Sequence, residues 1–366
     1  MLLKEMFIFS PKSKRNAAYG QKVGQFPFFT SSNLIDRFVD EPDYSGEYLI
    51  IGDGGTGNCK YYKGKFSVSN HNYLLQPKKG TNALCVKYFL MKDCYKVLND
   101  GFKGVGIKNV SKKYIESIDY AFNKRFSENE IVENLQKIES LIDEKKKQIT
   151  TLDSLVKSRF MEMFGDPILN NRNWPINTVA NCCYMKGMKN IPQKEKYWLL
   201  NLDKIESNTG EIIKKDYVVK DKIGNSTFFF DKDYVLYSKL RPYLNKVVIP
   251  NESGFATSEL VPLKPNSFVN AVYLAHLLRS KSFVKWIDGT SSGAKMPRAS
   301  VDALRSFMLP LPPIELQNKF VDFVHLVDKS RFVVHSRYFL WLNFTFESST
   351  IAYSRVVSIF ECPKRC

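Results

Sequence analysis

Three glycines early in the chain have the spacing of a nucleotide-binding loop. Gly52, Gly54 and Gly57 fit the G-x-G-x-x-G pattern, in which backbone N–H groups and the start of a following helix bind a pyrophosphate. The preceding residues, YLII from Tyr48, predict the strand that such a site needs. The following residues, CKYYKGKFSVS, are aromatic and β-branched and predict a second strand instead of a helix. A dinucleotide site is therefore not favoured, and the loop needs another interpretation.

The charge of the chain indicates a polyanionic partner. Its 366 residues include 54 Lys and Arg against 37 Asp and Glu, a formal net charge of +17, and 14% of them are aromatic and able to stack on bases. We predict that Gly54 and Gly55 let the backbone approach DNA, and that Lys60, Tyr62 and Lys65 contact phosphate or base. A tight structural turn is the alternative.

Cysteine and apolar residues give information on the compartment. The seven cysteines form no C-x-x-C pair, and Cys182 adjoins Cys183, so neither a disulfide framework nor a zinc ribbon is indicated. We expect a reducing cytoplasm. The N-terminus is too interrupted for a signal peptide, and no apolar run reaches the length of a membrane span.

Three pairs of similar segments recur in the same order. ENEIVENLQKIESLID at 128–143 resembles PIELQNKFVDFVHLVD at 313–328, GIK at 106–108 resembles GAK at 293–295, and FSVS from Phe66 resembles FATS from Phe255. The order predicts two copies of one unit, each a β-rich globular part followed by a helix. The predicted class is α+β, with two β-rich domains in tandem joined by long helices.

The second copy has its own basic loop. DYVLYSKLRPYLNKVVIP predicts strands around 234–237 and 246–249, with a turn at Pro242 and Asn245 between them. Such a loop can contact phosphates and bases, although basic loops often belong simply to a solvated face. The predicted DNA-binding residues are Lys239, Arg241 and Lys246, with Thr257, Ser258 and Lys295 as weaker candidates and Lys108 in the first copy. Arg241 is the preferred base reader, because a guanidinium can bridge two acceptors on guanine.

A long amphipathic segment joins the two copies. From about Ser127 to Phe164, apolar residues recur at intervals of three and four, which predicts a coiled-coil seam that needs a partner helix. Ser127 and Glu130 form a plausible capping box, and Gly165 ends the helix. The residues predicted to dock another subunit are Ile138, Ile142, Ile149, Leu152, Val156 and Phe160.

LDSLVKSRFMEMFGDP, LRPYLNKV and GTSSGAKMPRASVDALRSFMLPLPPIELQNKF together resemble the specificity subunits of type I restriction–modification enzymes. The resemblance implies two target-recognition domains, each reading one half of a split double-stranded DNA sequence, separated by helices that pack antiparallel and act as a ruler. It also implies docking of modification subunits, which bind S-adenosylmethionine and methylate adenine, and of restriction subunits, which cut and translocate DNA. S-adenosylmethionine, ATP and magnesium then belong to these partners, and no cofactor to this chain.

The residues themselves also predict a chain without catalysis. A Pro-Pro-aromatic loop after Asn or Asp would hold a flipped adenine, whereas Pro312 and Pro313 follow Leu311 and open a helix. The sequence lacks a phosphate-binding G-x-x-x-x-G-K-[ST], and its four histidines have no ligand spacing. We therefore predict no catalytic, cofactor-binding or metal-binding residues. A stand-alone enzyme and a coiled-coil scaffold for other proteins are the competing classes.

The C-terminus departs from the family pattern. After Ser330 the sequence is rich in aromatic and β-branched residues and loses the heptad. The predicted boundaries are 1–126 and 166–312 for the recognition domains, 127–165 for the central helix, 313–332 for a shortened second helix and 333–366 for an atypical tail. Leu152, Val156 and Phe160 should then lack an intramolecular partner, which predicts self-association. An inactive, truncated specificity subunit remains an alternative.

Overall fold

The computed structural model describes residues 1–106, 108–121, 127–293 and 295–346. The chain divides into two compact units, one of Met1–Lys145 with the chain from Ser336, the other of Lys146–His335. Both units mix helices with β-sheet, so the predicted α+β class is confirmed.

The first unit is built on a six-stranded sheet with the order β1-β6-β4-β5-β2-β3. Its elements are α1 (Leu3–Met6), β1 (Phe7–Phe9), β2 (Phe26–Phe29), β3 (Phe38–Val39), β4 (Tyr44–Gly52), β5 (Cys59–Val68), β6 (Asn72–Pro77), α2 (Ala83–Asn99), β7 (Phe102–Lys103), β8 (Asn109–Val110) and α3 (Lys112–Ser117). Leu49 and Ile51 of β4 pack with Val86 and Leu90 of α2 in a buried cluster, because alternate strand residues share one face of the sheet.

The second unit contains two four-stranded sheets, ordered β10-β17-β14-β15 and β12-β11-β16-β13. Its elements are β9 (Ile176–Thr178), α5 (Val179–Cys182), β10 (Cys183–Tyr184), β11 (Tyr197–Leu200), β12 (Asp216–Val218), β13 (Thr227–Phe230), β14 (Val235–Ser238), β15 (Val247–Val248), β16 (Gly254–Thr257), β17 (Leu260–Pro265), α6 (Ala271–Leu278), α7 (Lys281–Asp288), α8 (Val301–Ser306) and β18 (Met308–Pro310). The helix before them is α4 (Glu128–Phe164), and the one after them is α9 (Ile314–Phe346).

The signals that begin and end α4 are those that the sequence indicated. The N–H of Ser127 donates to Glu130 Oε2 at 3.0 Å, and the N–H of Glu130 donates to Ser127 Oγ at 3.2 Å, which completes the capping box. These bonds lower the pKa of the Glu130 carboxyl. At the other end, Gly165 has φ +76 and donates its N–H to the carbonyl oxygen of Met161, as a left-handed cap does.

The end of α4 packs against α9 inside the second unit. Phe160 lies with its ring 5.5 Å from that of Phe320, and Arg331 of α9 pairs with Asp153 of α4. From Asp153 to Phe160 the residue number rises along α4, while the contacted residue on α9 falls from Arg331 to Phe320. The two segments therefore run antiparallel. Phe160 is 3% exposed and Val156 5% exposed, so this part of the seam is filled.

The prediction that Leu152, Val156 and Phe160 lack an intramolecular partner is therefore wrong. Val156 and Phe160 are buried in the main core of the second unit, and Leu152 packs against it. The sequence comparison aligned the two helices start to start, whereas antiparallel packing places the start of α9 against the end of α4. The expected self-association loses its basis.

The second helix is also longer than predicted. Helix α9 continues to Phe346, beyond the expected end at residue 332. Aromatic and β-branched residues lower helix propensity by less than about 1 kcal/mol each, which is a weak signal against a helix. The predicted tail, 333–366, thus begins inside α9, and its residues 347–366 lie outside the described part of the chain.

Candidate nucleic-acid interface

The glycine loop connects two antiparallel strands of the first unit. Strands β4 and β5 pair up to Ile51 and Cys59, so a strand follows the glycines, as the sequence predicted. A Cβ on Gly52 would meet Asn58 Nδ2 at 2.7 Å, and one on Gly57 would meet Leu98 Cβ at 2.9 Å. These two glycines are therefore required by packing inside the unit, and the motif does not form a phosphate cradle.

The tip of the same loop is more exposed and pairs with another segment of the first unit. The N–H of Gly55 donates to the carbonyl oxygen of Lys108 at 2.9 Å, and Gly54 forms a β-bridge with Asn109. Gly55 has φ +87 and is exposed, with open space where a Cβ would lie. The structure thus brings together Gly54, Gly55 and the exposed Lys108. We call residues 53–55 and 108–110 the first ladder.

A small charged cluster flanks the first ladder. Asp53 is 6% exposed, and its carboxylate accepts from Lys12 Nζ and lies 3.2 Å from His71 Nδ1. Lys12 Nζ also lies 4.5 Å from the ring centroid of Tyr73, a favourable cation–π distance. The cluster holds a lysine in place beside the exposed loop tip.

The second unit contains a ladder of the same kind. The N–H of Arg241 donates to the carbonyl oxygen of Pro297 at 2.7 Å, and Leu240 forms a β-bridge with Arg298. We call residues 239–241 and 297–299 the second ladder. Two flanking backbone bonds also correspond. In the first ladder the N–H of Val110 donates to Asp53 O (3.0 Å), and in the second the N–H of Ala299 donates to Lys239 O (2.8 Å). Likewise, the N–H of Asp53 donates to His71 O (3.1 Å), and the N–H of Lys239 donates to Glu259 O (3.0 Å).

These bonds shift two of the sequence alignments. The pair Lys103–Asn109 corresponds to the pair Ser292–Arg298, so Lys295 occupies the place of Gly106 and not that of Lys108. His71 and Glu259 accept corresponding bonds and therefore occupy the same position in the two units. Phe255 lies four residues before Glu259, so it corresponds to Ser67, four residues before His71, and not to Phe66. Short similar words do not record the lengths of the intervening loops, which is why the alignment slipped.

Arg241 occupies the position that Gly55 has in the first ladder. Its φ of +50 lies in the left-handed region, which costs a residue other than glycine about 1–2 kcal/mol. The side chain is exposed, and its guanidinium has no hydrogen-bond or ion-pair partner among the described residues. Of the residues predicted to contact DNA, Arg241 is therefore the best placed to reach a ligand from the second unit.

Two of the predicted lysines have their ammonium groups directed into the protein. Lys60 Nζ donates to the carbonyl oxygen of Thr30 at 3.2 Å and to Asn58 Oδ1 at 3.1 Å. Lys246 Nζ donates to the carbonyl oxygen of Leu202 at 2.7 Å, and burial lowers its pKa, an effect that Asp203 partly offsets. Both ammonium groups thus bind acceptors within their own unit, and a phosphate contact by either lysine stays a prediction.

The buried ammonium of Lys60 gives stability a specific pH dependence. Burial lowers the pKa of Lys60 to about 8 from its ordinary value of 10.5. Between these values the unfolded chain binds more protons than the folded chain, so this group adds stability as pH rises, with a slope of up to about 1.4 kcal/mol per pH unit. We expect the free energy of unfolding of the wild type, measured with denaturant from pH 7 to pH 10.5, to rise relative to that of Lys60→Met. Parallel curves would mean that Lys60 is not desolvated.

The remaining candidates lie away from the ladders or at their margin. Lys65 pairs with Ser45, six residues along β5 from Cys59 and thus about 20 Å from the glycine loop. The ring of Tyr62 packs 5.2 Å from that of Phe29. Three others lie in the second unit: Lys295 is exposed in the hairpin closed by Ser292 and Arg298, Thr257 is half-buried at the end of β16, and Ser258 is exposed and bonded through its N–H to Ser226 O.

The residues predicted to dock another subunit divide by burial. Ile138 is buried, as are Val156 and Phe160, so these three are not accessible to a partner. Ile142, Ile149 and Leu152 are half-buried. Leu155, Met161 and Leu326, which the sequence analysis did not select, are 47%, 41% and 63% exposed.

Sequence reasoning also missed residues at the ladders. Lys12, Asn109, Glu259 and Arg298 lie directly beside the residues that were singled out. Asn109 and Glu259 directly follow the predicted Lys108 and Ser258 in sequence, whereas Lys12 and Arg298 reach the ladders only through contacts with distant segments, which no local pattern records. In the described ranges, no group of His, Cys, Asp and Glu could hold a metal ion, and no helix has the length and apolarity needed to cross a membrane.

Comparison with known proteins finds a matching family domain, a sequence relative and a similar fold. Residues 2–154 match the family model of the type I restriction modification DNA specificity domain. The type I restriction enzyme EcoDI specificity subunit of Escherichia coli is 21% identical in an alignment 348 residues long; the match covers 84% of this chain and 76% of that protein. The S subunit of a type I restriction–modification system from M. genitalium has a similar fold, with a TM-score of 0.60 and 13% identity over 98% of this chain and 94% of that one.

The matched domain is a DNA specificity domain of restriction–modification systems, and the shared fold is that of a specificity subunit. The chain is similar to type I specificity subunits, as the sequence resemblance indicated.

Proposed function

We propose that each unit reads one half of a bipartite DNA target, so that the two units act as tandem target-recognition domains. The observation that carries this proposal is the pair of ladders with corresponding hydrogen bonds. Each ladder presents exposed basic residues, Lys108 in the first unit and Arg241 in the second. Different side chains on the same backbone pattern would let the two units select different bases.

The helices α4 and α9 form the ruler of this proposal. With 37 residues, α4 is about 55 Å long, and an antiparallel coiled coil with α9 would fix the gap between the two half-sites. Modification subunits would dock on these helices, which carry exposed apolar side chains at Leu155, Met161 and Leu326.

The chemistry belongs to the partners in this proposal. Modification subunits would bind S-adenosylmethionine and methylate adenine, and restriction subunits would use ATP and magnesium. The chain itself would contribute recognition without catalysis, in the cytoplasm. Its buried, unpaired thiols Cys59, Cys85, Cys182 and Cys183 are compatible with a reducing compartment.

Competition binding separates this function from the alternatives. The assembled methyltransferase complex, incubated with a labelled genomic fragment, should prefer specific fragments over random DNA of equal length. A coiled-coil scaffold would leave that preference unchanged when this chain is omitted or replaced by another specificity subunit. An enzyme would show turnover of a nucleotide or methyl donor by the pure chain, and a truncated, inactive subunit would form no DNA-selective complex.

The first ladder predicts a change in salt dependence. If Lys108 contacts phosphate, Lys108→Ala in the complex should weaken binding to all sequences and reduce the slope of log K against log salt by about 1. Lys65→Ala is the matched comparison, because Lys65 is equally exposed on β5 but lies at the other end of the hairpin. A reduced slope for Lys65→Ala alone would place DNA at the other end of the hairpin.

A further inference from the structure

Arg298 lies next to Arg241 on the opposite strand of the second ladder. It forms the β-bridge with Leu240, and its backbone also closes the hairpin to Ser292, with N–H to O distances of 2.9 and 3.1 Å. Backbone bonds on both sides thus fix where the side chain begins. The side chain is 46% exposed, so its outer end is accessible.

A single carboxylate orients the guanidinium of Arg298. Its Nε lies 3.2 Å from both carboxylate oxygens of Glu259, and its Nη2 lies 2.9 Å from Oε1. This contact uses the Nε edge of the guanidinium and one Nη2 hydrogen. Of the five N–H donors of arginine, the remaining three, two on Nη1 and one on Nη2, have no partner among the described residues, and two of them form the outer end of the group. That pair of nitrogens is the one that matches guanine O6 and N7 in the major groove.

The carboxylate of Glu259 is not expected on a surface that binds only phosphate, because both groups are negatively charged. Glu259 is half-buried, and its hydrogen bond from Arg298 lowers its pKa, so it stays charged. A negative charge beside the backbone of DNA is repelled, whereas a carboxylate that fixes an arginine for base contact has a positive role. The first unit shows a related arrangement, since Asp53 holds Lys12 beside the first ladder.

We propose that Arg298 reads a guanine in the second half-site and that Glu259 is the positioning residue that holds its guanidinium for this contact. This rests on the proposed function of the ladders. It adds a residue outside the loop that carries Arg241, and it assigns a base type. The two arginines would read different positions of the same half-site, because they extend from opposite strands of the ladder.

The test uses the assembled complex and its methylation pattern in cells. Arg298→Lys keeps the charge but loses the pair of N–H donors on Nη1 and Nη2. We therefore expect discrimination at one G·C pair of the second half-site to fall about tenfold or more. Glu259→Gln should relax the same position to a smaller extent, and Glu259→Asp should restore part of the choice. Arg305→Lys is the control, because Arg305 is similarly exposed on α8 and its ion-pair partner among the described residues is Asp302.

Binding to modified oligonucleotides identifies the atom contacted. Replacing the guanine with 7-deazaguanine removes the N7 acceptor and should weaken the wild type, with little further effect on Arg298→Lys. A second half-site without a G·C pair, or an Arg298→Lys variant with unchanged sequence choice, would overturn the proposal. A uniform loss of affinity with a smaller salt slope would overturn it too, because it would show a phosphate contact. If the wild-type chain gives no bipartite motif, the proposed function fails instead.

Discussion

Arg241→Gly is expected to abolish base discrimination at one position of the second half-site without weakening the fold. Arg241 has φ +50, so glycine removes a conformational cost of about 1–2 kcal/mol while retaining the N–H that donates to Pro297 O. Loss of a guanidinium that bridges two base acceptors should cost about tenfold or more in discrimination. Melting temperature and genome methylation, measured on the same variant, separate the two effects.

Arg241→Lys serves as the companion variant. It keeps the positive charge and the left-handed backbone, so we expect relaxed sequence choice with an unchanged salt slope. A change in both half-sites from either variant would show that the two units do not read DNA separately. Loss of stability in Arg241→Gly would show that the side chain has a structural role that its exposure does not suggest.

Of the substitutions proposed for this protein, Phe160→Ala is expected to produce the largest loss of stability. The Phe160 ring lies between helices of the second unit, 5.0 Å from Phe164, 5.7 Å from Tyr273 and 5.5 Å from Phe320. Truncation of such a buried ring costs about 3–5 kcal/mol, because the cavity cannot fully collapse. Chemical denaturation monitored by circular dichroism measures this cost.

Leu155→Ala on the same helix is the control for that measurement. Leu155 is 47% exposed, and we expect less than about 1 kcal/mol from its truncation. Equal losses for the two variants would mean that the end of α4 does not pack against α9 in solution. The original prediction of an unfilled seam would then apply after all.

Local patterns predicted the elements whose causes are local. Aromatic and β-branched residues identified the strand after the glycine loop, and Ser127 with Glu130 identified the start of α4. The family resemblance rested on long motifs and was confirmed. Each of these features depends on residues close together in the chain.

Features that depend on distant residues were missed or misplaced. The ammonium of Lys60 was expected to face DNA, but its long side chain reaches the carbonyl of Thr30 on a neighbouring part of the unit. Arg298 gained a role only through its bridge to Leu240, 58 residues earlier in the chain. The seam of α4 was judged by its length, whereas antiparallel packing decides which end of α9 it meets.

Genome-wide mapping of methylated adenine tests the central claim most directly. Cells that carry the modification subunits should show one split motif when this chain is present, and that motif should disappear when the chain is deleted. In the presence of Arg241→Gly, only one half of the motif should change. Methylation that is unaffected by deletion, or a motif that changes in both halves, would contradict recognition by two separate units.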